Sequence, residues 1–107
     1  MNTTENMAEA PRKTVTVQIG NSDDKLSQRE WSDFVGRVHG SIGYFADQIH
    51  FSGHSSPNVC WQNAAWVFEI EAVEPPLASH LREELAKIRA EFKQESVAWT
   101  EGETSFI

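Results

Sequence analysis

Two stretches of the chain alternate apolar and polar residues, and each predicts a β-strand with one buried face. In TVTVQIG, residues 14–20, every second side chain is apolar. In AAWVFEIEAV, residues 64–73, Trp66, Phe68 and Ile70 share one side, while the other side carries two glutamates. A period of two is typical of a half-buried strand, because successive side chains point to opposite faces.

A shorter strand and a bent one complete the strand pattern. The stretch QIHFSGH places Ile49 and Phe51 on one face, which we expect to be the core face, and His50 and Ser52 on the other. The C-terminal stretch SVAWTEGETSFI predicts a fourth strand that bends at Gly102. The chain therefore contains four predicted strands.

Apolar residues recur at helical spacing in two further stretches. Ser27 and Glu30 form an S-x-x-E capping box, and Leu26 and Trp31 occupy the positions of a hydrophobic staple around it. The buried stripe of this first helix is predicted to comprise Trp31, Phe34, Val35, Val38 and Ile42. The second helix follows the two prolines at 75–76, which suit a helix entry. Its predicted stripe comprises Leu77, Leu81, Leu85, Ile88 and Phe92.

The order of elements is strand–helix–strand–strand–helix–strand, and each helix has a single apolar stripe. This pattern favours an α+β domain of the ferredoxin-like βαββαβ type. We expect a four-stranded antiparallel sheet of order 4-1-3-2 with both helices on one face. Residues 1–13 lack apolar periodicity and are interpreted as a flexible polar tail. Residues 14–107 are interpreted as one α+β domain.

In this topology the loops after the first and second strands emerge at the same end of the sheet. The polar residues that gather there are candidates for a binding edge. They are Asn21, Asp23, Asp24, His54, Trp61 and Asn63. An exposed Trp61 would suit a binding hot spot, whereas a Trp61 folded back over the core would have only a packing role.

Metal binding and nucleophilic catalysis are less favoured at this edge than the binding of a partner. Asp23, Asp24 and His54 are the metal candidates, since carboxylates suit a hard cation and His54 with Cys60 would suit zinc. The chain contains no compact ligand motif, and acids at this position also favour a helix N-terminus. Cys60 lacks an evident orienting base and is interpreted as a small apolar residue. We therefore expect neither a catalytic residue nor a cofactor.

Charge and composition narrow the classes of partner. The formal net charge is −7, with 16 acidic and 9 basic residues, which disfavours nucleic acid and favours a basic protein partner. The single Cys60 cannot form an internal disulfide, as expected in a reducing cytoplasm. No apolar run approaches the roughly 20 residues that span a bilayer, so we expect no membrane association.

The open face of the predicted sheet favours self-association over RNA binding. Its expected residues are Thr16, Gln18, His50, Ser52, Val67, Glu69, Ala98 and Thr100. RNA-recognition domains of this topology display stacking aromatic residues on this face, and here none is expected. Small apolar residues on this face suit a homodimer, by analogy with other ferredoxin-like domains.

Three functions agree with these patterns to different degrees. The first is a small, acidic, non-enzymatic interaction module, such as an inhibitor, an antitoxin-like or immunity-like binder, or an accessory subunit. The second is a metal-dependent nuclease, because Asp23 and Asp24 resemble some small ferredoxin-like nucleases, including the CRISPR adaptation family, in their position after the first strand. The third is a small-ligand-binding regulatory domain. The sequence favours the interaction module, since it contains no catalytic motif.

Overall fold

The computed structural model describes residues 12–21, 25–56, 61–73, 75–105 and 107. Its elements are β1 (Arg12–Asn21), α1 (Gln28–Phe45), β2 (Gln48–His54), β3 (Gln62–Glu71), α2 (Leu77–Glu91) and β4 (Ala98–Gly102). The strands form one sheet of order β2-β3-β1-β4, in which every neighbouring pair is antiparallel. This is the predicted order read from the opposite edge, and the predicted ferredoxin-like α+β fold is confirmed.

The core lies between one face of the sheet and the two helices. The central strands β1 and β3 pair over ten residues, and their alternate side chains are buried. They pack against the apolar stripes of both helices in a single cluster, which places α1 and α2 on the same face of the sheet. The sheet contributes Val15, Val17, Ile19, Ala64, Trp66, Phe68 and Ile70, and the helices contribute Trp31, Phe34, Val38, Ile42, Leu81, Leu85 and Ile88.

The start of α1 has the capping geometry that the sequence predicts. The Ser27 hydroxyl accepts a hydrogen bond from the Glu30 backbone N–H at 3.1 Å. The Ser27 N–H donates to the Glu30 carboxylate at 2.8 Å. Leu26 and Trp31 are both buried beside this turn. Two of the free N–H groups of the first turn are therefore satisfied within the helix.

A β-bulge in β2 overturns the predicted faces of that strand. Ile49 pairs with Phe68, but Phe51 pairs with Val67, so one extra residue, His50, is inserted in β2. An insertion of one residue moves every later side chain to the other face. The prediction that Phe51 faces the core is therefore wrong, and so is the assignment of Ser52 to the open face.

The first strand begins earlier than its alternation indicates. Arg12 and Lys13 belong to β1 and pair with Glu71 and Ile70 of β3. The sequence pattern places both residues in the polar tail. Arg12 also forms an ion pair with Asp47 at 3.0 Å. Residues 1–11 lie outside the described part of the chain. No helix within that part is both long and apolar enough to cross a membrane.

Candidate functional site

Asn21, the first residue of the predicted binding edge, is buried and hydrogen-bonded within the fold. Its side chain is 1% exposed. The Asn21 amide donates to the Leu26 carbonyl at 3.1 Å, and its oxygen accepts from the Leu26 N–H at 3.0 Å. The amide also donates to the Gln62 side-chain oxygen at 3.2 Å. Asn21 thus fastens the loop before α1 to the end of the central strands, and we assign it a structural role.

The same polar layer continues through a pair of glutamines. Gln62 donates to the Gln28 side-chain oxygen at 2.8 Å, and Gln28 donates back to Gln62 at 3.1 Å. Reciprocal amide pairing satisfies both side chains at the point where α1 meets β3. This end of the domain is therefore closed by internal hydrogen bonds.

The remaining described members of the predicted edge are exposed. Trp61 has 59% of its surface exposed, which favours the binding interpretation over the packing one. Asn63 donates from its side chain to the Trp61 carbonyl at 3.2 Å and from its backbone to the Ser55 hydroxyl at 2.9 Å. His54 ends β2, and its Nδ1 lies 3.0 Å from the Ser55 carbonyl oxygen. These residues form the surface of the edge, while Asn21 forms its interior.

Asp23, Asp24 and Cys60 lie outside the described residues. Within the described ranges, no group of three or more His, Cys, Asp or Glu side chains is close enough to hold a metal ion. His54 is the one metal candidate that the structure describes, and it lines a cleft with apolar and hydroxyl side chains. A metal site built on Asp23, Asp24 and His54 stays a prediction.

A cleft between α1 and the β2 edge of the sheet is a feature that the sequence did not indicate. Val35 contributes apolar surface, and the buried Trp66, His39 and His54 also line the cleft. The Trp66 indole N–H donates to Nδ1 of His39 at 3.0 Å. A buried Trp needs an acceptor for its N–H, so Trp66 fixes the orientation of His39. The signal available in the sequence was a polar His39 beside the apolar stripe of α1.

Because of the bulge, the open face of the sheet carries an aromatic side chain on its edge strand β2. Phe51 is 57% exposed and lies beside its half-buried partner Val67. His50 and Glu69 flank this patch, with 2.6 Å between the His50 Nε2 and a Glu69 carboxylate oxygen. The expectation of a face without aromatic residues is therefore wrong, although the patch holds one aromatic ring rather than a stacking pair.

The carboxyl groups with altered acidity lie in helix caps and surface ion pairs. Hydrogen bonds from the Ser27 backbone and side chain lower the pKa of Glu30. The hydrogen-bonded guanidinium of Arg37 lowers the pKa of Glu91, and the Trp99 indole lowers that of Glu101. None of these carboxyl groups lines the cleft between α1 and β2. Their altered acidity reflects stabilisation of the fold.

No protein-family model matches the chain, and no curated protein matches it significantly. Among solved structures, the de novo designed protein Foldit4 is similar with a TM-score of 0.59 and 9% identity, covering 89% of this chain and all of the designed one. A dimeric ferredoxin-like protein of unknown function from Thermobifida fusca YX has a TM-score of 0.55 and 6% identity, covering 85% and 90% of the two chains. Hydroxynitrile lyase from Passiflora edulis has a TM-score of 0.50 and 12% identity, and the match covers 91% of this chain and 99% of the lyase. At these identities the likeness shows the fold alone.

Proposed function

We propose that this chain is a small protein-interaction domain that acts as a homodimer, with the open face of the sheet as the subunit interface. The observation that carries the proposal is Phe51, a large aromatic side chain displayed on the open face of the sheet, which no element of the described residues covers. Exposed aromatic residues are enriched among interface hot spots. The dimeric state of the Thermobifida fusca protein, which has the same fold, is consistent with this proposal.

The open face has an area adequate for a stable interface. Its strands have 7, 10, 10 and 5 residues in sheet order, and each residue covers about 16 Å² of the sheet at the usual rise and strand spacing. The flat area is therefore about 500 Å², and side-chain relief brings it nearer to the roughly 800 Å² per partner of a standard interface. The half-buried Ala65 and Val67 supply the apolar surface around Phe51.

The charge of the chain supports a second, basic partner for the dimer. A net charge of −7 speeds encounter with a positively charged protein and makes the association sensitive to salt. An inhibitor, an immunity-like binder or an accessory subunit would have this property. Recovery of basic proteins from the native host at low salt, and their release at high salt, is the expected result. A cytoplasmic location stays a prediction.

The oligomeric state tests the proposed interface directly. We expect wild-type protein to sediment as a dimer at micromolar concentration and Phe51→Glu to weaken the dimer at least about tenfold, because each interface would bury two unpaired carboxylates. Tyr44→Glu is the matched control, since Tyr44 is 83% exposed on α1, away from the sheet. This variant should stay dimeric.

Two outcomes would contradict the proposal. One is a wild-type protein that remains monomeric up to high micromolar concentration. The other is a dimer that Tyr44→Glu disrupts and Phe51→Glu does not, since this would place the interface on the helices. Far-ultraviolet circular dichroism of each variant separates loss of the dimer from loss of the fold.

A further inference from the structure

The cleft between α1 and the β2 edge has the size of a small-molecule site. Its main cavity has a volume of about 650 Å³, and a second cavity of about 200 Å³ adjoins it. Ser32, Val35 and His54 line both cavities, so the two form one continuous groove. Pockets for small ligands commonly occupy about 300–1,000 Å³. The groove lies on the helix side of the sheet, opposite the face proposed for dimerisation, and dimer formation would leave it open.

The described residues that line this groove carry no Asp, Glu, Lys or Arg. The chain as a whole has 25 such residues, 16 acidic and 9 basic, so the described lining of the groove is less charged than the average of the chain. Val35 offers apolar surface beside the buried Trp66, while Ser32 and Ser52 offer hydroxyl groups. An ion would find no opposite charge among these residues, whereas a neutral molecule with an apolar body would lose little by leaving water.

Hydrogen bonds fix the two histidines of the groove in opposite tautomers. An indole N–H can only donate, so Nδ1 of neutral His39 accepts from Trp66 and the ring proton is on Nε2. A carbonyl can only accept, so Nδ1 of His54 carries the proton that it donates to the Ser55 carbonyl, and in the neutral imidazole Nε2 is left as an acceptor. The groove therefore contains one imidazole that offers a donor and one that offers an acceptor.

We propose that this groove binds a small, neutral, largely apolar molecule that has both a hydrogen-bond acceptor and a donor, with His39 and His54 as its polar contacts and Val35 as its apolar contact beside the buried Trp66. An aromatic carboxamide has this chemistry, because its carbonyl accepts and its NH₂ donates. The site goes beyond the proposed dimerisation and does not depend on it.

Two glycines of α1 supply a matched pair of variants. Gly36 lines the groove, and a Cβ built there meets no atom within 4 Å, so a larger side chain has room to occupy the space a ligand would use. Gly40 lies one turn further along and is equally unobstructed, but it does not line the groove. Replacing either glycine with leucine improves helix propensity. We therefore expect both variants to fold.

The test uses benzamide and salicylamide as neutral probes and benzoate as a charged control. In ¹H–¹⁵N spectra we expect each neutral probe to produce saturable shifts of the Trp66 indole N–H and of the His39 and His54 ring signals at millimolar concentration, the affinity usual for fragments of this size. Gly36→Leu should weaken this binding at least about tenfold, whereas Gly40→Leu should leave it within about twofold. Ser32→Leu, which fills the groove from a different position, provides a second blocking variant.

Several results would overturn the proposal. They are the absence of saturable shifts with both neutral probes, equal shifts with benzoate, or equal binding to the Gly36→Leu and Gly40→Leu variants. If Gly36→Leu does not fold, unchanged binding of the neutral probes by Ser32→Leu would overturn the proposal instead. Sedimentation of the same samples monitors the dimer separately, so that a failure of the groove and a failure of the interface are distinguishable.

Discussion

Replacement of Asn21 by alanine should destabilise the domain although Asn21 is polar and lies at the end of a strand. The substitution removes hydrogen bonds to the N–H and the carbonyl of Leu26 and to the Gln62 side-chain oxygen. Gln62 keeps its bond from Gln28, so the unpaired groups are the two backbone groups of Leu26. The whole Leu26 residue is 6% exposed, which limits their access to water.

The expected loss follows from the number of groups left without a partner. Each buried polar group that loses its only partner costs about 1–3 kcal/mol. Two such groups, with some relief from water entering the space left by the side chain, give a loss of about 2–4 kcal/mol in the free energy of unfolding. Denaturant unfolding followed by tryptophan fluorescence, at a fixed protein concentration, measures this difference.

Asn63→Ala is the matched control for this prediction. Asn63 lies on β3 directly after Gln62, the partner of Asn21, but it is exposed, and its side chain donates to the Trp61 carbonyl. Its replacement should change the free energy of unfolding by no more than about 0.5 kcal/mol. The reasoning is refuted if Asn21→Ala costs less than about 1 kcal/mol or no more than Asn63→Ala.

Two further predictions concern the bulged strand and the helix cap. A Cβ at Gly53 would lie 2.8 Å from Cζ of the Phe51 ring. Gly53→Ala should therefore displace that ring and lower the free energy of unfolding by up to about 1 kcal/mol, whereas the same substitution in a Phe51→Ala background should be neutral. A double-mutant cycle without coupling between the two positions would argue against this contact. The pKa of Glu30 is lowered from its ordinary 4.5 by hydrogen bonds from Ser27, so its contribution to stability is complete above that value and is lost as the pH falls through the lowered pKa. Glu30→Gln keeps the capping geometry, so it should lose less stability than wild type between neutral pH and about pH 3. Thermal unfolding at the two pH values measures this loss, and equal losses in the two proteins would disprove the stabilising role of the Glu30 carboxylate.

The parts of the fold that follow local rules could be predicted from the sequence. The alternation is regular in β3 and in β1 from Val15 onward because these stretches have one face on the core. The capping box at Ser27 depends only on residues three positions apart, and its geometry is as expected. These features need no knowledge of contacts between distant parts of the chain.

The features that sequence reasoning missed depend on pairing between strands. The alternation of Ile49 and Phe51 describes an unbroken strand, and only the register against Phe68 and Val67 reveals the inserted residue. Asn21 is a polar residue of a type common in binding sites, but its partners in the loop before α1 and on β3 make it part of the interior. In both cases the sequence identifies the residue type, and the long-range partner decides its role.

The binding role of the predicted polar edge stays a prediction. His54 and Trp61 are exposed as the binding hypothesis requires. His39 was missed because a polar residue beside a helical stripe is normally solvated, and its partner Trp66 is 27 positions away. The need of a buried indole for an acceptor was the available signal, although it does not identify which acceptor the fold supplies.

The bulge at His50 also affects how the domain avoids aggregation. Strand β2 lies at one edge of the sheet, where free backbone groups offer a template for another strand. An inserted residue breaks the regular spacing of those groups and twists the edge, while the opposite edge strand, β4, has only five residues. Edge-to-edge extension into fibrils is thus disfavoured at both sides of the sheet. The same single residue that displays Phe51 for contact between faces therefore protects the edge against uncontrolled growth.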